Sequence, residues 1–436
     1  MSNLRKKRNK KRVIKRILRL SVFLLPVILL SVILSVIFRA PEEIKDDGNV
    51  VLQDDVKEEP KVVTASILST GDIIMHQPFI ISNQYKNTDG SYDYNSIFKY
   101  VKPYYTNADY TVVNFESTVA NGNYKGYPRF HAPAAITNAL AENNVDLCLL
   151  ANNHIYDNGD AGMNITIDAM ETNHLTYMGI RKNSSEKKYL IQEINGIKVG
   201  FFNYVYAGGT ESEKTINAIP VSANSSPLIN TFNYNNLQAM YTDVKNSLSE
   251  MKQAGVKYTI AYIHWGNEYQ TKENGTQRQI ASALCELGVD ALIGGHPHVV
   301  QPVDLLTSSS GNHQMICVYS VGNHLSNQYR TRITSLPTGH TEDGLMVNLV
   351  LQKNDDDTVS LTQVDFIPTW VYRTPGAEDT DNPTFYILPL DNPDKIVKDA
   401  SSLNIESAIK ESISRTNAII GDGKSKIVNA LPITNK

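Results

Sequence analysis

Cysteine is scarce in this chain of 436 residues, and the few cysteines present show no paired spacing. Cys148, Cys285 and Cys317 each lie in an apolar run, and none belongs to a CxxC motif. They are typical of core thiols, and their number excludes a disulfide framework. The sequence also lacks a GxSxG elbow, a P-loop, a HExxH motif and a GxGxxG turn after a strand, which excludes several common catalytic and nucleotide-binding sites.

Basic residues are in deficit outside the N-terminal arm. Residues 1–19 carry ten Lys or Arg and no acid, whereas the remaining 417 residues have a net charge of −14. Because the excess positive charge is confined to one short arm, we expect no nucleic-acid partner. Hydrophobic residues make up 41% of the chain and charged residues 20%, which allows a globular core and excludes collagen-like and wholly disordered chains.

An uncharged run of 19 residues, 20–38, follows the basic arm. As a helix it would span about 29 Å, close to the ~30 Å hydrocarbon core of a bilayer. We expect an uncleaved single-pass anchor, because the run exceeds a signal-peptide core and no small-residue cleavage pattern follows it; a cleaved secretory signal is the alternative. The positive-inside rule predicts a cytoplasmic N-terminus and a main domain outside the cell membrane.

The chain beyond the anchor divides by composition. Residues 39–61 are rich in acids and contain no aromatic residue, which predicts a flexible acidic stalk. Residues 62–373 form the predicted main domain. Residues 374–436 are a predicted C-terminal extension with one helix, over 405–420.

Short apolar runs in the main domain alternate with amphipathic segments, which indicates the α/β class. The predicted strands are 64–68, 111–113, 147–150, 199–204, 258–263, 291–293 and 316–319. The other predicted elements are helices over 237–254 and 276–287 and a β-hairpin of 345–351 with 359–366.

Polar side chains follow six of the predicted strands. They are Asp72, Glu116, Asn153 with His154, His264, His296 with His298, and His324. Histidine follows four of the six strands, which helix capping alone would not favour. Because the carboxyl ends of parallel strands meet at one edge, these groups are expected to converge. Mixed oxygen and nitrogen ligands suit a borderline divalent metal, and two such ions ~3.5–4 Å apart can clamp a phosphoryl oxygen.

Six short motifs in residues 65–330 carry a family resemblance. In chain order they are Gly71-Asp72, Asn114-Phe115-Glu116, Ala151-Asn152-Asn153-His154, His264-Trp265-Gly266, Gly295-His296-Pro297-His298 and Tyr319-Ser320-Val321-Gly322-Asn323. In these motifs the chain resembles the CapA (PgsA-type) poly-γ-glutamate capsule proteins, a branch of the calcineurin-like metallophosphoesterases. The resemblance implies a two-sheet αββα sandwich of the metallo-dependent phosphatase type, with a site for two divalent ions (Mn, Zn or Fe) at its edge.

The resemblance also implies which residues bind the metal. The ligands would be Asp72, Glu116, Asn153, His264, His296 and His298. Glu116 would bridge the two ions, His264 and His296 would bind one ion, and His298 would bind the other. His154 would be catalytic, as a general acid or as a hydrogen-bond donor to the phosphoryl group.

Three further residues have two readings each. Asp157 either orients His154 or caps the helix that follows it, and capping is slightly favoured. Glu268 either orients His264 or is a solvated loop acid. His76 is the nearest substitute for the histidine of the superfamily's Asp-x-His motif, because Ile74 occupies that position, and it either binds metal or does not.

Three functions are compatible with the sequence. The first is a membrane-anchored component of poly-γ-glutamate or related capsule biosynthesis or export, working with other polymer-synthesis subunits. The second is a metal-dependent hydrolase of a cell-envelope phosphoester or of an amide in the polymer. The third is a non-catalytic scaffold that binds an anionic polymer.

Overall fold

The computed structural model describes residues 62–210, 212–376 and 378–435. The predicted basic arm (1–19), anchor (20–38) and stalk (39–61) lie outside the described residues. Within the described ranges, no helix combines the length and the apolar composition that a bilayer crossing requires.

Strands and helices are both frequent in the described part of the chain. The strands are β1 (Val63–Ile73), β2 (Tyr110–Phe115), β3 (Val119–Ala120), β4 (Ala132–Pro133), β5 (Leu147–Leu149), β6 (Thr176–Met178), β7 (Tyr189–Ile194), β8 (Ile197–Tyr206), β9 (Gly208–Gly209), β10 (Lys214–Ile216), β11 (Ile219–Pro220), β12 (Thr231–Phe232), β13 (Tyr258–His264), β14 (Ala291–Gly295), β15 (Val303–Thr307), β16 (Gln314–Val318), β17 (Asn323–Leu325), β18 (Asp343–Lys353), β19 (Val359–Arg373), β20 (Phe385–Pro389) and β21 (Ile433–Thr434). The α-helices are α1 (Gln77–Ile81), α2 (Lys102–Asn107), α3 (Ala135–Glu142), α4 (Gly159–Thr172), α5 (Leu237–Gln253), α6 (Gly275–Leu287), α7 (Pro393–Asp399) and α8 (Glu406–Ala430).

Two large sheets contain most of the strands. The first has the order β20-β19-β18-β1-β2-β5-β6, with β17 beside β1 and β21 beside β19. The second has the order β12-β8-β13-β14-β16-β15, with β7 beside β8. The run β1-β2-β5-β6 is parallel, as is the run β12-β8-β13-β14-β16, so the carboxyl ends of these strands gather at a common edge within each sheet.

One apolar core joins the two large sheets. The ring of Tyr110 in β2 stacks on Phe201 in β8 with centroids 5.6 Å apart. Ser69 Oγ in β1 lies 2.8 Å from the hydroxyl of Tyr262 in β13. A second core cluster packs α3 and α4 against the first sheet. The α/β class is therefore confirmed, and each predicted strand overlaps an observed one.

Strand β1 continues to Ile73, well beyond its predicted end at residue 68. The continuation pairs with β17 and places Asp72 inside the strand, opposite Asn323. Gly71 makes this pairing possible, because a Cβ there would overlap the carbonyl oxygen of Gly322. Asp72 is therefore fixed by strand pairing on both sides, since it also stands opposite Asn114 of β2.

The C-terminal residues extend the first sheet and cover it. Strands β20 and β21 both pair with β19. Helix α8 reaches Ala430, so the predicted end at residue 420 was wrong. The two glycines that follow residue 420, Gly421 and Gly423, do not interrupt the helix. Gly423 lies where a Cβ would overlap the carbonyl oxygen of Val303 in β15, which means that glycine permits this close contact.

The two glycines of α8 predict opposite effects on stability. Gly423→Ala is expected to lower the free energy of unfolding by about 1–3 kcal/mol, because the added methyl group must displace β15. Gly421→Ala is the matched control: no atom lies within 4 Å of its would-be Cβ, so helix propensity should raise the same quantity by about 0.5–1 kcal/mol. Urea denaturation of the two variants measures both changes, and equal effects would contradict the close packing at Gly423.

Candidate metal centre

The candidate ligands come from both large sheets, at the edge where their parallel strands end. Asp72 lies in β1, Glu116 directly follows β2, and His264 is the last residue of β13. His264 stands opposite Gly295 of β14. A Cβ on Gly295 would lie 2.9 Å from Asp72 Oδ1, so the absence of a side chain lets the two sheets approach at the site.

Two groups of side chains have the spacing of metal ligands, and they share Glu116. One group is Asp72, Glu116 and His264; the other is Glu116, His296 and His298. Within each group the ligand atoms lie within 4.8 Å of one another. This arrangement suits two cations held by a common carboxylate. In this arrangement His296 and His298 bind the same ion, whereas the resemblance implies that His296 and His264 do. The ring centroids of His264 and His296 are 4.8 Å apart, so the geometry allows either assignment of His296.

Glu116 is fully buried, and neither of its side-chain oxygens has a hydrogen-bond partner among the described residues. Ring nitrogens of two histidines approach its Oε1: His264 Nε2 at 3.6 Å and His298 Nε2 at 3.8 Å. His296 Nδ1 is also buried without a hydrogen-bond partner among the described residues, whereas His298 Nδ1 lies 3.3 Å from Asp72 Oδ2. Buried polar groups are normally satisfied, so these unpaired atoms fit a bound cation.

Burial and mutual charge shift the pKa values of the cluster. Burial, followed by the charge of Asp72, raises the pKa of Glu116 well above its usual value. Burial would also raise the pKa of Asp72, but the contact with His298 and the charge of that imidazole lower it to about 2. Burial lowers the pKa of His264 to about 3, although Asp72 opposes the shift. His264 is thus in the neutral form that binds metals.

Amide side chains complete the surroundings of the ligands. Asn153 Oδ1 lies 2.8 Å from His264 Nε2, which places Asn153 with the other predicted ligands. Asn114, for which no role was predicted, donates from Nδ2 to Asp72 Oδ1 at 2.7 Å, and the same nitrogen lies 3.4 Å from His264 Nδ1. Asn114 is therefore a positioning residue. The position of Asn114 could have been predicted from strand alternation, because residues two apart, such as Asn114 and Glu116, lie on the same face of a strand.

Two of the predicted ligand histidines have a backbone conformation that non-glycine residues rarely adopt. The φ angle is +95° at His296 and +57° at His298. Such conformations cost on the order of 1–3 kcal/mol and are concentrated at functional sites. Both residues belong to the same ligand group, which also contains Glu116.

His154 lies beside the cluster and is held by Asp157. Its Nδ1 is 2.8 Å from Asp157 Oδ2. Asp157 does not cap the helix: α4 begins at Gly159 with Asn158 at the N-cap, so the favoured capping role was wrong. Phe130 packs edge-on against His154, with ring centroids 4.6 Å apart. This leaves Nε2 of His154 as the ring nitrogen that can transfer a proton.

Two further candidates lie outside both ligand groups. His76 Nδ1 accepts a hydrogen bond from the backbone N–H of Asn327 at 3.1 Å, and burial lowers the pKa of His76 to about 3. Glu268 is exposed, and within the described residues the ring nitrogens of His264 contact Asn153 and Asn114 rather than Glu268. His324, which also follows a predicted strand, is buried against the hydroxyl of Tyr105.

Comparison with known proteins gives matches over the region that holds these ligands. The family model described as "Bacterial capsule synthesis protein PGA_cap" matches residues 66–328. "Capsule biosynthesis protein CapA" of Bacillus anthracis is 28% identical over 294 residues, which cover 65% of this chain and 63% of that protein. "PGA biosynthesis protein CapA" of Bacillus subtilis (strain 168) is 29% identical over 322 residues, 71% of this chain and 74% of that protein. The match to the first relative thus spans less than two thirds of its length.

Proposed function

Because the chain belongs to the bacterial capsule synthesis protein PGA_cap family, we propose that it acts in the biosynthesis or export of poly-γ-glutamate or a related capsule polymer, as a metal-dependent hydrolase. The family membership confirms the capsule-protein resemblance found in the motifs. The hydrolase assignment goes beyond it and rests on the metal centre. The bond hydrolysed would be a phosphoester of the cell envelope or an amide of the polymer.

One observation carries the hydrolase proposal: Glu116 is shared by two ligand groups, and both of its oxygens are buried without a partner. Asp72, Asn153 and His264 would hold one ion with Glu116, and His296 and His298 would hold the other. Bound divalent ions would supply Lewis-acid polarisation of the substrate and a water molecule of lowered pKa. The nitrogen and oxygen ligands favour Mn, Zn or Fe over Mg or Ca.

The residues of the chain would orient the substrate and move a proton. Asp157 fixes the ring of His154 through Nδ1, so that Nε2 can donate a proton to a leaving group or a hydrogen bond to a phosphoryl oxygen. Asn114 keeps Asp72 and His264 in place through its amide. Burial of the ligands excludes bulk water and strengthens these interactions.

The uncharged run 20–38 supports a location at the cell membrane. In this proposal the basic arm stays in the cytoplasm and residues 62–436 lie outside, tethered by the acidic stalk. That location places the centre where an exported anionic polymer emerges, and other polymer-synthesis subunits in the same membrane would be its partners.

A non-catalytic scaffold that binds the polymer is the second candidate. Ile74 is buried at the position where the superfamily's Asp-x-His motif has a histidine. His76, the nearest substitute, is already engaged by the backbone of Asn327. One metal position would therefore have one protein ligand fewer, so its ion would be held less tightly and hydrolysis that needs two ions would be weakened.

Metal content and turnover distinguish the candidates. We expect the purified full chain to retain up to two Mn²⁺ or Zn²⁺ per molecule after dialysis, and to hydrolyse a phosphomonoester, a phosphodiester or a γ-glutamyl amide only when metal is bound. Deleting the gene in its host should reduce surface polymer, and the wild-type gene should restore it. Metal binding without turnover on any of the three substrates would favour the scaffold, and unchanged surface polymer would contradict the role in the capsule.

A further inference from the structure

A short loop beside the metal centre, residues 121–131, is called the site loop here. Its base is closed by two backbone hydrogen bonds between Lys125 and His131, of 3.2 and 2.9 Å. Its tip therefore consists of residues 126–130.

The tip is fixed to the same carboxylate as His154. The backbone N–H of Phe130 donates to Asp157 Oδ2 at 2.7 Å, and that oxygen also binds His154 Nδ1. The ring of Phe130 packs edge-on against His76 as well, with centroids 5.4 Å apart. On the other side of the tip, the N–H of Gly126 donates to Gln77 Oε1 at 2.9 Å. The loop is thus held in a defined position at the rim of the centre.

The outward side chains of the loop are an aromatic ring and two cations. Tyr127 is 76% exposed, the highest value among the exposed large hydrophobic side chains of the described residues. Arg129 and Lys125 are exposed, and within the described ranges neither side chain makes a hydrogen bond or an ion pair. An exposed aromatic residue next to two unpaired cations, on a loop anchored at both ends, offers apolar contact and positive charge to the same ligand.

The site loop is a local reversal of charge. Residues 62–436 carry 37 acidic and 27 basic side chains, yet no Asp or Glu occurs between Glu116 and Glu142. The rest of the domain therefore repels a polyanion, while the rim of the centre attracts one. Tyr269 also lies beside the centre, with its ring centroid 6.1 Å from that of His298.

We propose that the site loop binds an extended polycarboxylate chain at the rim of the metal centre. Arg129 and Lys125 pair with side-chain carboxylates of the chain, because a guanidinium or ammonium group forms charge-assisted hydrogen bonds with carboxylate oxygens. Tyr127 covers the methylene and amide groups between successive carboxylates. This inference rests on the proposed role in capsule polymer assembly, and it identifies the surface that holds the polymer.

Binding of labelled poly-γ-glutamate to the purified full chain, followed by fluorescence anisotropy over a range of salt concentrations, tests the inference. Arg129→Gln and Lys125→Gln are each expected to weaken binding about 3–10-fold and to reduce its salt dependence, as loss of one counter-charge does. Tyr127→Ala should weaken binding with little change in salt dependence, and Tyr127→Phe should restore it. Lys245→Gln, at an exposed cation of α5 without a described partner, is the matched control and should bind as wild type.

Each outcome bears on a separate claim. Wild-type binding that Arg129→Gln and Lys245→Gln alter equally would overturn the inference, as would absence of binding by the wild-type chain. Loop-dependent binding of a polyphosphate, with no binding of poly-γ-glutamate, would overturn the assignment to a polycarboxylate. Metal content measured in the same samples reports on the metal centre independently of polymer binding. A wild-type chain that binds the polymer through the loop but hydrolyses no substrate would contradict only the hydrolase proposal.

Discussion

Glu116→Gln is expected to remove metal binding and, with it, metal-dependent hydrolysis. Both ligand groups share this carboxylate, and both of its oxygens are buried without a partner. The glutamine amide has the same shape but offers only one neutral oxygen as a ligand. Its NH₂ group is a hydrogen-bond donor and cannot bind a second cation. When the free ion concentration is 100 times the dissociation constant, binding adds about 2.7 kcal/mol to the free energy of unfolding, and the variant should lose this gain.

Metal content by mass spectrometry and thermal unfolding with and without chelator measure the two losses. Glu268→Gln is the matched control, because it removes the same charge from an exposed position near the centre that belongs to neither ligand group. We expect it to retain both metal content and the chelator-sensitive part of the melting temperature. A Glu116→Gln variant with wild-type metal content would show that Glu116 does not bridge the ions.

The sequence predicted the strands that carry the site because their patterns are local. The apolar run of β13, for example, is buried along its whole length, and its prediction over 258–263 falls one residue short of the observed strand. Convergence at one edge follows from the rule for parallel strands and needs no knowledge of which strands are neighbours. This is why Asp72, Glu116 and His264 could be expected near one another.

Features that depend on distant partners could not be predicted in the same way. Strand β1 runs past residue 68 because β17 pairs with its end, and Gly322, which makes the contact, is some 250 residues away along the chain. Strand β20 lies in a segment rich in Pro and Asp, and it forms because β19 offers a free edge. Local propensity is overridden in both cases by pairing.

The orientation of individual side chains at the site was also beyond the sequence. The positive φ angles of His296 and His298 are stabilised by the surrounding fold, and the residue type gives no sign of them. Asp157 has the residue type and position of a helix cap, yet it binds His154 and the backbone of Phe130. A short acidic side chain can serve either role, and only the position of Phe130 decides between them.

His154→Ala is expected to lower turnover about 10²–10⁴-fold while leaving metal content unchanged. His154 belongs to neither ligand group, and its Nδ1 is held by Asp157, so under the hydrolase proposal its contribution would lie in proton transfer rather than in metal binding. Asp157→Asn should act in the same direction but more weakly, about 10–100-fold, because the ring remains and only its orientation is loosened. Turnover of a small phosphoester by metal-loaded protein measures both effects.

His174→Gln provides the control, since this histidine follows the opposite end of α4 and contacts none of the candidate ligands in the described part of the chain. Equal turnover in His154→Ala and His174→Gln would contradict a catalytic role for His154. A fall in metal content that parallels the fall in turnover would instead make His154 a support of the metal site. The scaffold function predicts a third result: His154→Ala binds metal and leaves the surface polymer at its wild-type level. This result separates metal binding from catalysis, because His154 would transfer a proton and is not a metal ligand in either group.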